Sequence, residues 1–270
     1  MATDGKTKKA RRLALITGAS GGIGEAFAGI LAEEGWDLVL VARNEDELRR
    51  VAGVLQAATD TTAHVLPFDL AQAGAGGKLI KALQRRGWMP EVLINNAGFG
   101  LNGRAMELDV DRQLRMIDLN VRTLTELSLR LLPQMIARGA GGVLNVASTA
   151  GFMSGPHMAV YFATKAYVLH FSEALAEEAR GSKVTVTALC PGPVKTGFQE
   201  TAGMSDGLLM KLMPAARAKD VARAGWQGFK EGRAVVVPGA MNWLAAQMPR
   251  LLPRAVVRKA NGWLFRPKKD

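Results

Sequence analysis

Short apolar runs recur along the chain and alternate with stretches of helical spacing. Residues 13–16, 37–43, 64–67, 91–94, 142–148, 183–190 and 235–238 read as seven strands. Between them, residues 25–34, 45–58, 108–137 and 159–180 carry apolar positions at the three-to-four-residue spacing of helices. Strands that alternate with helices throughout predict an α/β fold with a single doubly wound parallel sheet and helices on both faces. Ligands of such sheets bind outside the carboxyl ends of the strands. The residues at those ends are therefore the first place to look for chemistry.

The first strand runs straight into Thr17-Gly-Ala-Ser-Gly-Gly-Ile-Gly24, and a helical stretch follows. Gly18, Gly22 and Gly24 let backbone approach a pyrophosphate, and a helix N-terminus favours its charge. No Lys-Ser/Thr pair follows, which argues against a triphosphate-binding loop. The second strand ends in Ala42-Arg43-Asn44, with its acid, Asp37, at the opposite end. An Arg in that place suits a 2′-phosphate, and Ser20 in the glycine turn can add a hydroxyl, so NADP(H) is expected over NAD(H). Asp69, after the third strand, either meets an adenine edge or caps the next helix. The fourth strand ends in Asn95-Asn96-Ala97-Gly98 and the fifth in Ser148, while Pro191-Gly192 follows the sixth. Asn120 sits in the long helical stretch and needs partners if buried. Tyr161 and Lys165 stand four apart, on one face of a helix, where the ammonium favours phenolate and the pair can move a proton at a carbonyl or alcohol carbon.

Composition narrows the picture. A chain of 270 residues, 48% hydrophobic, can build one large core. One cysteine, Cys190, makes no intrachain disulfide, and three scattered histidines make no metal site, so no metal is expected. The formal charge of +11 is split between +4 on residues 1–12, +6 on residues 240–270 and only +1 between them. A nearly neutral body argues against a nucleic-acid groove, and no nucleic-acid partner is expected. Without an apolar signal core or a membrane-length apolar run, a cytoplasmic protein is expected.

The glycine turn, Asn95-Asn-Ala-Gly98, Asn120, Ser148, Tyr161-x-x-x-Lys165 and Pro191-Gly192 together resemble the short-chain dehydrogenase/reductase family, over roughly residues 12–238. The resemblance implies a Rossmann-like sheet of seven strands in the order 3-2-1-4-5-6-7. It implies Tyr161 as proton donor, Ser148 as the group that orients the carbonyl oxygen, and Lys165 as the holder of the nicotinamide ribose that depresses the Tyr161 pKa. Asn120 is expected to hold a water in a proton relay to Lys165. Gly18, Ser20, Gly22, Ile23, Gly24, Arg43, Asp69, Asn96, Ala97, Gly98, Pro191, Gly192, Val194 and Thr196 become the expected cofactor contacts, with Val194 and Thr196 at the carboxamide. A homodimer or homotetramer packed through the two long helices is implied as well.

The resulting division is a basic, disordered tail (1–12), a dinucleotide-binding catalytic domain (13–238) and a basic amphipathic extension (239–270). The segment 197–216 reads either as a mobile lid or as a short packed helix; its Met204, Leu208, Leu209, Met210, Leu212 and Met213, with Phe99, Phe152, Met153 and Met158, suit an apolar, lipid-like or ketone substrate. The extension, with Trp243, Trp263 and its run of Arg and Lys, suits peripheral contact with a membrane, a cover for the pocket, a partner subunit, or simple docking on the core. The expected function is an NADPH-dependent reductase working reversibly as an alcohol dehydrogenase on a small-molecule carbonyl; the alternative is a catalytically silent NADP(H)-binding regulator or scaffold.

Overall fold

The computed structural model describes residues 11–198, 202–203 and 215–266. Its strands are β1 (Leu13–Thr17), β2 (Asp37–Ala42), β3 (Ala63–Pro67), β4 (Val92–Asn95), β5 (Gly142–Val146), β6 (Thr185–Leu189), the short β7 (Val194–Lys195) and β8 (Ala216–Arg217), and β9 (Val235–Val236). Seven of them form one parallel sheet in the order β3-β2-β1-β4-β5-β6-β9. This is the expected order; the seventh member is the ninth strand only because the β7–β8 pair intervenes. The last strand is shorter than its apolar run, since Val237 and Pro238 lie beyond the pairing.

The central strands are apolar at successive positions because both faces of the sheet are covered. On one face Ala14, Ile16, Leu38 and Leu40 pack with Phe27 and Leu31 of α1 (Gly22–Glu33), Leu48 of α2 (Glu45–Ala58) and Trp226 and Phe229 of a helix at Ala218–Lys230. On the other face Leu15, Val39, Leu93 and Val143 pack with Leu79 and Leu83 of α3 (Ala75–Arg85), then with Leu127 and Met135 of a helix at Leu124–Arg138, and Leu175 of one at Ala159–Glu178. The pattern of apolar residues does not predict α3. Its first turn holds Gly76 and Gly77, poor helix formers, which are there for packing: a Cβ on Gly76 would stand 2.6 Å from Glu126 Oε2.

The long helical stretch around Asn120 is three pieces. Helix α4 (Val110–Ile117) passes through a π turn (Asp118–Thr123) into α5 (Leu124–Arg138). Such turns leave the regular ladder and commonly re-aim a side chain. Helix α6 (Ala159–Glu178) follows, then α7 (Ala218–Lys230), α8 (Ala240–Leu251) and α9 (Arg254–Leu264). Of the basic tail, residues 1–10 lie outside the described residues. Arg11 is bound to Asp37 and Asp60, and Arg12 lies over the Trp36 ring at 4.1 Å.

Polar residues tie the sheet to its helices where the core is driest. Asn95 Nδ2 donates to Asn145 Oδ1 at 2.9 Å and to Ser128 Oγ at 3.1 Å, and Asn145 Nδ2 donates to Ser172 Oγ at 2.9 Å. This chain runs from α5 through β4 and β5 to α6 with every member buried. A buried amide is favourable only when its hydrogen bonds are met. Asn145→Ala is therefore expected to cost about 2–4 kcal/mol, measured by urea unfolding; a loss below half a kilocalorie would show that the chain carries no stability.

Candidate active site

The site forms where the strand order reverses, between β1 and β4. Thr17 Oγ1 accepts from the backbone N–H of Asn96 and of Ala97, both at 3.0 Å. Asn96 Nδ2 donates to the carbonyl oxygens of Thr17 (3.0 Å) and Gly18 (3.1 Å). These bonds satisfy polar backbone at strand ends that have no ladder partner. They also draw the two turns so close that only glycine fits: a Cβ on Gly24 would run into Gly18 O, and Gly18 itself holds φ +66°. Helix α1 begins directly after this turn with no side-chain cap. Its first N–H groups are thus open to an anion.

One cavity of about 1240 Å³ runs from this turn across the carboxyl ends of the strands. Pockets for a single small ligand usually span ~300–1,000 Å³, so there is room for a dinucleotide and a second molecule. Gly18, Ser20, Gly22, Ile23, Arg43, Asp69, Asn96, Ala97 and Gly98 line it, as do Ser148, Tyr161, Lys165, Pro191, Gly192, Val194 and Thr196. Of the expected cofactor contacts only Gly24 is absent from the wall, because it packs against Gly18 from behind. Arg43 is exposed at the rim and makes no ion pair with a carboxylate among the described residues. Asp69 does not cap the following helix, which begins at Ala75 after Gly74. It accepts from Ala71 N at 3.1 Å and pairs with Arg115 at 3.0 Å. Arg112 and Arg115 of α4 also line the cavity, a contribution that the sequence pattern did not signal.

At the inner part of the cavity stand Ser148, Tyr161 and Lys165. Helix α6 presents Tyr161 and Lys165 one turn apart, with the ammonium 5.8 Å from the phenol ring centre. Lys165 Nζ donates to the Val146 carbonyl at 2.8 Å. Ser148 accepts from Ala150 N at 3.1 Å and hydrogen-bonds the Tyr161 side chain. Asn120 does have partners: Oδ1 accepts from Phe99 N at 3.2 Å, and Nδ2 donates to Phe99 O at 3.0 Å and to Thr164 Oγ1 at 3.1 Å. The side chain is thus occupied in holding the Phe99 loop to α6.

Burial dominates the electrostatics. It pushes the Tyr161 phenol up to about 12, against the hydrogen bond with Ser148, and brings the Lys165 ammonium down to about 8. The expected depression of the Tyr161 pKa by Lys165 is therefore outweighed by burial in this arrangement. Cys190, behind them, is buried and pushed up to about 12, chiefly by the same loss of solvent.

The remaining walls are apolar. Phe198 lies 5.4 Å from Tyr161, and Phe265 meets Phe162 edge-on at 5.0 Å. Met153, Met158, Ala245, Met248, Leu252, Val257 and Leu264 complete this part. Helices α8 and α9 therefore cover the pocket, one of the arrangements open at the sequence level. Helix α9 is latched by Asn261 Nδ2 to Ser154 O (2.8 Å) and Asn102 Nδ2 to Phe265 O (3.0 Å). Gly192 packs directly on Asn242. Met204, Leu208, Leu209, Met210, Leu212 and Met213 lie outside the described residues.

Lys165 sets a stability test. Its pKa falls from 10.5 to about 8 on folding, so between those values the unfolded chain keeps a proton that the folded chain releases, and stability rises with pH there. Below pH 8 the buried charge costs about 3 kcal/mol, partly offset by roughly 1 kcal/mol from the bond to Val146. Lys165→Met is expected to be more stable than the parent at pH 7 by on the order of 1–2 kcal/mol, with the gap narrowing by pH 9.5. Urea unfolding of both proteins at the two pH values checks it; a less stable variant at pH 7 refutes it.

A family model described as short chain dehydrogenase matches residues 12–206. An uncharacterized oxidoreductase of Staphylococcus aureus is 35% identical over 213 residues, covering 79% of this chain and 88% of its own. A short-chain dehydrogenase from Sphingobium yanoikuyae, solved in complex with NADPH, is similar with a TM-score of 0.78 and 31% identity, over 89% of this chain and 94% of that one. A bulky-bulky ketone specific alcohol dehydrogenase from Comamonas testosteroni gives 0.75 and 28%, over 90% and 93%. The fold, the cleft and the match agree: the chain belongs to the short-chain dehydrogenase family, as an oxidoreductase acting on CH–OH and C=O groups with a nicotinamide cofactor.

Proposed function

We propose that the protein is an NADPH-dependent reductase of apolar, lipid-like carbonyl compounds, reversible as an alcohol dehydrogenase. The observation that carries this is the meeting of Ser148, Tyr161 and Lys165 in the same cavity as the glycine turn. The cofactor fits this chain: α1 starts uncapped at the turn, Gly18 and Gly22 hold positive φ, and the cavity exceeds what one small ligand needs. Ser20, Ile23, Asn96, Gly98, Gly192, Val194 and Thr196 would hold it along its length. A nicotinamide bound there supplies or accepts the hydride.

The chain's own residues handle the proton. In reduction, Tyr161 gives its phenolic proton to the carbonyl oxygen, while the Ser148 hydroxyl orients that oxygen and stabilises the charge growing on it. A phenol held near 12 is a proton donor across neutral pH. The tyrosinate left behind is stabilised by the Lys165 ammonium on the same helix face. Asn120 acts at one remove, by fixing the Phe99 loop and Thr164 beside these groups. Arg43 and Ser20 at the rim support NADP(H) over NAD(H), because an exposed guanidinium at the end of β2 meets a 2′-phosphate and offers a plain ribose little.

An apolar substrate is supported by the wall around Tyr161, where Met153, Met158, Phe162, Phe198, Leu264 and Phe265 include no charge. The Comamonas testosteroni enzyme, whose name specifies bulky ketones, agrees with that choice. Exposed Leu129, Ile136 and Tyr167 on α5 and α6 support an oligomer packed through those helices.

Two measurements test this. Tyr161→Phe is expected to abolish turnover of an apolar ketone while NADPH binding, followed by nicotinamide fluorescence, stays within about two-fold; turnover like the parent's would overturn the assignment. Arg43→Ala is expected to weaken NADPH roughly ten-fold and leave NADH unchanged. Equal loss for both cofactors would remove the 2′-phosphate contact from the account.

A further inference from the structure

Helices α8 and α9 carry more apolar surface than the cavity uses. Their inner sides line it, through Met248, Leu252, Val257 and Leu264. On the outside, Leu251 is 79% exposed, Trp263 64% and Trp243 56%, with Met241, Leu244 and Val256 exposed as well. None of these six lines the cavity. Met241, Leu244 and Leu251 stand three and seven residues apart along α8, and Val256 and Trp263 seven apart along α9, so each set forms a stripe on its helix.

The charges beside these stripes have one sign. Arg250, Arg254, Arg258, Lys259 and Arg266 all lie between residues 240 and 266, and that segment holds no Asp or Glu. Among the described residues none of the five pairs with a carboxylate, and Arg250 reaches only Gln247. Elsewhere cations such as Arg50, Arg115, Arg130 and Lys230 have carboxylates beside them, while others, such as Arg43 and Lys78, stand unpaired among the described residues; what sets this segment apart is that it offers its cations no acid at all. Unpaired cations among exposed Trp, Leu and Met want a partner that is both anionic and apolar.

We propose that the outer face of α8 and α9 lies on an anionic lipid surface, and that the cavity behind it takes its apolar carbonyl substrate from that surface. The second half rests on the apolar-substrate reading above. Tryptophan and Arg or Lys sit well at the headgroup boundary, where the rings reach the acyl chains and the cations meet phosphate. Helices of 12 and 11 residues are too short to cross a bilayer of about 20 residues' helical length. No helix among the described residues is long and apolar enough to do so. They are suited to lie in its plane. A second copy of this chain is a poorer occupant, since symmetric pairing over this face sets five cations against five. Because the same helices are the wall of the cavity, a lipid-like molecule would pass from the bilayer into the pocket with little exposure to water.

The test is flotation of the full chain with vesicles of phosphatidylcholine alone and of phosphatidylcholine with about a quarter phosphatidylserine, at low and high salt. The anionic vesicles are expected to retain the protein at low salt, and salt to release most of it. Arg254→Gln with Arg258→Gln is expected to lower retention on the order of ten-fold, and Leu251→Asp with Trp263→Asp to abolish it. These residues are outside the cavity, so NADPH-dependent turnover of a water-soluble ketone should be unchanged in both variants. That turnover reads the reductase assignment separately from the surface. Failure of the unmodified protein to float with anionic vesicles at low salt overturns the proposal. So does retention indifferent to the substitutions, or an oligomer that Leu251→Asp with Trp263→Asp splits into monomers, since the face would then belong to a second copy.

Discussion

The structure depends first on how two strand ends are closed. β1 and β4 are neighbours in the sheet, and the chain leaves them toward opposite faces. A crevice must open there, and the backbone polar groups along it lose their ladder partners. Thr17 and Asn96 answer this with side chains, which make four bonds across the crevice, two with each other's backbone, one to the Gly18 carbonyl and one from the Ala97 N–H. Because Asn96 takes up the Thr17 and Gly18 carbonyls, the turn beyond them can stay tight and start α1 without a cap of its own. The anion-binding end of the cavity is thus a consequence of satisfying strand ends, and the glycines are the steric condition for it.

The inner end is built on a charge held out of water. Lys165 has one acceptor, Val146 O, and burial takes its pKa down to about 8. Such a group is a stability liability. It makes sense as part of a proton-handling site, where the ammonium has to be near a phenol that ionises. Tyr161 shows the complementary effect: burial keeps it protonated, and Ser148 draws its pKa only partly back. The two shifts point in opposite directions from one cause, so a single dry pocket poises both partners of the pair.

Most of this frame was legible in the chain. Strands buried on both faces announce themselves as unbroken apolar runs, and the residues at their carboxyl ends gave the cavity wall, from Ser20 to Thr196. What escaped was whatever depends on contact across the fold. Helix α3 was hidden because Gly76 and Gly77 are set by the closeness of Glu126 on α5. The π turn was hidden because it preserves the apolar pattern while turning Asn120 toward Phe99 and Thr164. Asn145, polar in the middle of an apolar strand, was a visible signal whose partners, Asn95 and Ser172, could only be seen in three dimensions. Arg115 and Asp69 meet across 46 residues, and spacing carries no trace of that.

The C-terminal extension shows how one composition can answer two demands. Its residues read as apolar and basic together, which fits a membrane, a pocket cover or a subunit contact equally well. The fold separates these readings by side. Asn261 and Asn102 hold α9 over the pocket while Asn242 seats α8 on Gly192, and this fixes which apolar residues line it. Once Met248, Leu252, Val257 and Leu264 are spent on the cavity, Leu251, Val256 and Trp263 remain outside with the unpaired cations. Scattered exposed apolar residues need no explanation, but two stripes beside charges of a single sign are not scattered. The same latches that shape the pocket therefore determine the character of the outer face, and a substitution that loosened Asn261 would change both together.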